Sequence, residues 1–251
     1  MGWELAGLEA AGLLGLAGKW VVVWARVVGL CLTAPGLAVP GLAWQSRLGL
    51  AAVLGAVLAP VVTPQVPPPA DWPAAVGTGL AEVVTGGVLG WSAGLIVAAA
   101  RAAGDLVAAQ AGLATAMLFD PESGEEQTPL GQLYGWLALA VFLAMDGPIV
   151  LVRALVDSYT AIPPGQLLSS QQAVALAFGQ VGHALELALR LAAPPAIALV
   201  MTGIVLGWLS RAAPSLPFFT LALPIRAGLG IALILLSMTV LVVTLAGAWG
   251  Q

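Results

Sequence analysis

Five runs of this chain carry no Asp, Glu, Lys or Arg: 48–70, 83–100, 127–145, 191–210 and 227–251, of 23, 18, 19, 20 and 25 residues. A helix needs about 20 mostly apolar residues to cross the roughly 30 Å hydrocarbon layer of a bilayer, so each run is a candidate span. A sixth, 13–34, is apolar in spite of Lys19 and Arg26. In lipid every backbone polar group must be satisfied within the protein, which leaves helices or a closed barrel. Runs of this length and pattern specify helices. The expectation is an all-α, polytopic membrane protein with about six long hydrophobic helices over one domain, residues 1–251.

The rest of the composition removes other classes. Charged residues make up 8% of the chain, against about 25% in a soluble domain, so water cannot be its main solvent. Eight scattered Lys and Arg against twelve Asp and Glu leave no basic footprint for nucleic acid. The lone Cys31 and lone His183 supply neither an internal disulfide nor a structural zinc set. No P-loop, HExxH, GxSxG or dinucleotide-binding glycine motif occurs, and Asp146 and Asp157 form no protease-like pair. No enzyme activity, cofactor or metal is expected. Residues 1–12 carry Glu4 and Glu9 and no basic residue, the reverse of a secretory signal, and read as mature sequence.

Proline and polar clusters at 35–40, 64–73, 120–129 and 213–217 mark connections, since proline cannot continue a helix. The connection between Arg153 and Arg190 holds SYTAIPPGQ and then a helical stretch, 167–189. Gln172, Gln180, His183, Glu186 and Arg190 fall on one stripe of it. Such a helix lies at an interface or packs around a wet cavity. Basic residues divide too evenly between the connections to fix orientation.

Ionisable groups at membrane depth are costly and therefore candidates for function. Arg101 with Asp105, Arg153 with Asp157, and Glu186 with Arg190 stand four apart and share helix faces, as local pairs would. Arg26 and Glu82 have no such neighbour. Arg26 is expected to snorkel from a span end, and Glu82 to sit at a helix N-terminus, where negative charge is favoured. Gly86, Gly90 and Gly94 form a groove for close helix approach, and Gly203 with Gly207 repeats it.

Five fragments, in order, resemble the FliR family, the single-copy R subunit of the flagellar export gate, with counterparts in injectisomes. WARVVGLCLTAPGLAVPGLAWQSRL carries Arg26, Gly29, Pro35, Pro40 and Arg47. EVVTGGVLGWSAGL carries Glu82, Gly86 and Gly90, and AAGDLVAAQAGLATAMLFDP carries Gln110, Gly112, Phe119, Asp120 and Pro121. SYTAIPPG contributes Ser158, Ile162, Pro163 and Gly165. LSRAAPSLPFFTLALPIRAGLGI contributes Arg211, Pro214, Phe219, Pro224, Arg226 and Gly228.

The resemblance implies helical hairpins in a hetero-oligomeric gate, with P-type and Q-type subunits and other export-apparatus membrane proteins as partners. Unfolded secreted proteins are the implied substrates, and the bacterial inner membrane, at the flagellar basal body, is the implied location. It also implies a P-like N-terminal part and a Q-like C-terminal part. A plug is implied at about residues 110–128, whose glycines, Gly112 and Gly124, and acidic tip suit a hydrated element; an ordinary solvated loop is the other reading. Some hydrophobic helices are then held by neighbouring subunits and need not cross the bilayer. A small-molecule carrier, or a binding subunit of a vitamin-type transporter, is the alternative, although the halves show no convincing internal repeat.

Overall fold

A computed structural model describes residues 2–36, 43–62, 72–113, 128–166, 170–212 and 218–249. Every described element is a helix: α1 (Gly2–Thr33), α2 (Trp44–Val62), α3 (Trp72–Ala111), α4 (Pro129–Ala144), α5 (Gly147–Ala161), α6 (Ser170–Ala212) and α7 (Phe218–Trp249). The all-α expectation holds. All six expected hydrophobic helices are present, as α1 to α4, α6 and α7, but six spans is too many. Among the described residues four helices are long and apolar enough to cross a bilayer, or five if the broken pair α4 and α5 makes one span.

Two elements depart from the sequence reading. α5 was not expected as a helix of its own. Asp146, at φ 55°, ends one helical path, and Gly147 and Pro148 open the next, where proline's missing N–H costs nothing. From residue 170 on, the expected stretch to 189 and the run 191–210 are one helix, α6, of 43 residues. Pro194 and Pro195 lie inside it without ending it, as they do in apolar surroundings, where the alternative is an unsatisfied backbone. Gln172, Gln180, His183, Glu186 and Arg190 of the stripe are all exposed on α6.

The chain divides into two compact units, Met1–Gly94 with Asp146–Phe178, and Leu95–Met145 with Gly179–Gln251. In the first, α1 is the central helix: residues 22–31 are buried except Trp24. Val23, Val27 and Cys31 of α1 pack with Ala51 and Ala59 of α2 and with Leu155 of α5. α2 buries only Ala51, Gly55, Ala59 and Val62, a stripe one residue wide at helical spacing. In the second unit, Ala100, Ala103 and Val107 of α3 pack with Tyr134 and Ala138 of α4, Leu199 of α6 and Leu245 of α7.

Burial is shallow by the standard of a water-soluble core. The most apolar windows of α2, α6 and α7 each bury 22% of their residues, against 39% in α3. Large apolar side chains such as Phe178, Trp208 and Leu236 are more than 70% exposed. Surfaces of this kind are stable only against lipid or another protein.

Candidate functional site

Three of the sequence fragments meet in the first unit. α1 and α3 run side by side in the same direction, with Arg26, Gly29 and Thr33 of α1 against Glu82, Gly86 and Gly90 of α3. The glycines make this possible. A β-carbon on Gly86 would collide with the Arg26 carbonyl, one on Gly29 with the Val83 carbonyl, and one on Gly90 with Thr33 Oγ1. Thr33 Oγ1 donates across the contact to Gly87 O at 2.9 Å. The groove seen in the sequence therefore receives a helix of this same chain.

At the head of this contact lies a closed charge cluster. Arg26 and Glu82 are both 0% exposed, and Arg26 Nε donates to Glu82 Oε2 at 2.5 Å. Arg26 Nη1 donates to Ser158 Oγ at 2.9 Å, and Nη2 to the Ile162 carbonyl at 3.1 Å. Ser158 Oγ in turn donates to the Leu155 carbonyl at 2.6 Å. The second Glu82 oxygen accepts from the Gly165 N–H at 3.0 Å. The Tyr159 ring lies 4.0 Å from the guanidinium carbon, a cation–π contact that caps the charge.

Burying a carboxylate or a guanidinium alone costs several kcal/mol, and only mutual pairing with satisfied remaining donors and acceptors offsets it. Here both carboxylate oxygens are used, and Arg26 fills all three of its nitrogens. The Pro163 to Gln166 turn is fixed by the same groups: Gly165 is held at φ 81°, and Gln166 N donates to Pro163 O. Through these bonds the cluster joins α1, α3, α5 and the turn beyond α5.

This corrects the expectation for Arg26 and Glu82. Neither snorkels nor sits at a helix end; they are each other's partner across 56 residues. Of the three pairs four apart, only Glu186 with Arg190 closes, and it is exposed. Arg153 and Asp157 are exposed and unbonded to each other. Asp105 accepts instead from Thr128 N and Thr128 Oγ1, at 3.1 and 2.6 Å, while Arg101 lies along Gly135 of α4. Thr128 in turn caps α4 by accepting from Gly131 N at 3.0 Å.

The other sequence-derived positions are spread out. Pro35 is buried in the turn after α1, Gln110 is exposed at the end of α3, and Gly112, at φ 76°, terminates that helix. Arg211 stands exposed in the last turn of α6, where a cation meets the free carbonyls. Phe219 and Pro224 stand near the start of α7, and Arg226 lies against Gly203 of α6. Pro40, Phe119, Asp120, Pro121, Gly124 and Pro214 lie outside the described residues. Tyr159 and Thr33 were missed from sequence, although Tyr159 sits within the quoted SYTAIPPG fragment.

Residues 17–251 match the family described as bacterial export proteins, family 1. The chain belongs to this family. Among similar proteins is the flagellar biosynthetic protein FliR of Escherichia coli strain K12, 31% identical over 83% of this chain and 79% of its own length. FliR of Caulobacter vibrioides is 28% identical over 87% of each chain. The Yop proteins translocation protein T of Yersinia pestis is 32% identical over 59% of this chain and 58% of its own. The FliR resemblance read from the five fragments is thereby borne out. In this member of the bacterial export proteins, three of those fragments, far apart in sequence, meet at the buried Arg26–Glu82 cluster.

Proposed function

We propose that this chain is the R-type subunit of a protein export gate, helping to form and close the channel through which unfolded substrates enter secretion. The family match over residues 17–251 carries the reading. Relatives named both for flagellar biosynthesis and for translocation share the chain, as expected of a common export device. The flagellar system is the one assigned here: FliR of E. coli and C. vibrioides align over 83% and 87% of the chain, and the Yersinia protein over 59%.

The role is structural and channel-forming, without catalysis of its own. Partners are P-type and Q-type subunits in the bacterial inner membrane, at the flagellar basal body. The α6–α7 pair is the Q-like part of a single export-gate domain, and the preceding helices are the P-like part. Large outward apolar side chains on α2, α6 and α7 support a subunit whose surface is completed by others. The plug is assigned to residues 110–128, between Gly112 at the end of α3 and Thr128 at the start of α4. Gln110, Gly112, Phe119, Asp120, Pro121 and Gly124 belong to it.

Co-expression with the neighbouring membrane genes, purification on a tag at this chain and mass measurement test the reading. The expected product is a large assembly with one copy of this chain and several of two smaller hydrophobic proteins. A stable lone monomer that binds a small molecule would overturn the gate in favour of a carrier.

A further inference from the structure

In the second unit α6 and α7 pair in opposite directions, with Gly203 facing Arg226 and Leu199 beside Gly230. The Arg226 guanidinium lies on the bare backbone of Gly203, where a β-carbon would collide with its terminal nitrogen. Its Nε is buried and meets no acceptor among the described residues. No counter-charge stands nearby on either helix. Arg226 is the sole ionisable residue of α7, and the only acid of α6, Glu186, is held by Arg190. Glu186 is also 17 residues from Gly203, roughly 25 Å along the helix.

The surroundings are apolar on both sides of this level. Val200 and Met201 are exposed on one side, and Val205, Trp208 and Ile225 on the other. Nine residues of α6 and eight of α7 separate Gly203 and Arg226 from the helix ends at Ala212 and Phe218, about 12–14 Å of helix. The side chain does not run toward those ends; it lies across Gly203. One turn along the same face of α6, a β-carbon on Gly207 would find nothing within 4 Å. Gly203 is filled by the chain's own guanidinium, and Gly207 is an open groove beside it.

We infer that Arg226 receives a carboxylate from a helix of a partner subunit that docks across α6 and α7 at Gly203 and Gly207. An arginine left unpaired in an apolar face is costly, and a carboxylate brought at the same depth removes that cost on assembly. Gly203 gives the guanidinium room to lie flat, and Gly207 lets the partner backbone come close enough for a short acidic side chain to reach it. A protein carboxylate fits the level better than a lipid phosphate, because exposed apolar side chains continue past Arg226 toward the helix ends. The inference rests on the export-gate reading and adds the chemistry of one contact to it.

The test uses the full tagged chain co-expressed with its partner subunits. R226Q is expected to lower the yield of complex by about thirtyfold or more, while R226K retains most of it. In the isolated chain in detergent, R226Q should leave the melting temperature unchanged or raised, since it removes an unpaired charge. R226E should assemble only when one intramembrane Asp or Glu of a partner is replaced by Arg or Lys. R226Q complexes at wild-type yield would overturn the inference, as would an equal loss of stability in the isolated chain. Failure of every charge swap, with phospholipid retained at this face in native mass spectra, would assign the contact to a lipid phosphate instead. A wild-type chain that recovers no partner overturns the gate reading itself, and that outcome is scored before any variant is made.

Discussion

The Arg26–Glu82 pair makes a sharp claim about single side chains. Removing one partner strands the other in a fully buried position, so R26M and E82Q should each cost about 3–5 kcal/mol, measured as thermal melting of the purified full chain in detergent. Replacing both by Met should recover most of the loss, because well-packed apolar residues need no counter-charge. Strictly additive losses in the double variant would mean that the two groups act independently, against the 2.5 Å contact between them. S158A, which deprives Arg26 of one charge-assisted acceptor, should cost about 1.5–3 kcal/mol in the same assay. The sequence showed both charges as costly at membrane depth, but the pairing was not legible. A four-residue spacing rule sees only neighbours on one helix, and these residues lie on different helices. The same rule proposed Arg101 with Asp105 and Arg153 with Asp157, where the chain instead caps α4 or leaves the groups exposed.

Helix against helix, the glycines decide how close α1 and α3 come. G86A and G90A each place a methyl into the backbone or hydroxyl of α1, and overpacking of this sort costs about 1–3 kcal/mol. G77A and G79A lie on the same helix with nothing within 4 Å of the added carbon, and should be neutral or slightly stabilising by helix propensity. Equal effects of all four would assign the cost to propensity rather than to the contact. The start of α4 gives an independent case: T128A removes a cap and should cost about 1 kcal/mol, with faster hydrogen exchange at the Gly131 amide as its local sign. Most helices could be read from the sequence, since charge-free runs and proline clusters define their cores and ends. α5 could not, because Arg153 and Asp157 interrupt its hydrophobicity. The continuity of 170–189 with 191–210 escaped too, since prolines inside an apolar helix look like breaks. The glycine ladder was visible as a groove, but its occupant lay more than 50 residues away in sequence.

Taken together, the chain is a set of long helices whose internal contacts are narrow and whose outward faces are apolar, with the firm points at glycine crossings and buried charges. In that construction the segment between α3 and α4 has feet fixed by identifiable groups. Asp105 holds the α4 foot through Thr128, and Gly112, in the left-handed region, closes the α3 foot. Both feet stay in place if residues 120–127 are deleted. Seven residues, 113–119, would then join them, and an extended chain of that length reaches about 23 Å, against roughly 11 Å of helix between Asp105 and Gly112. The deletion should therefore be tolerated by the fold while removing the acidic tip. If the segment plugs the closed gate, the assembled complex in planar bilayers should pass more ions after the deletion, with unchanged subunit composition. An unchanged conductance in an intact complex would show that closure lies elsewhere in the assembly. D105N separates anchoring from plugging: it weakens the hold on Thr128 without shortening the segment. Leakage from D105N as large as from the deletion would place the control of closure at the foot and not at the tip.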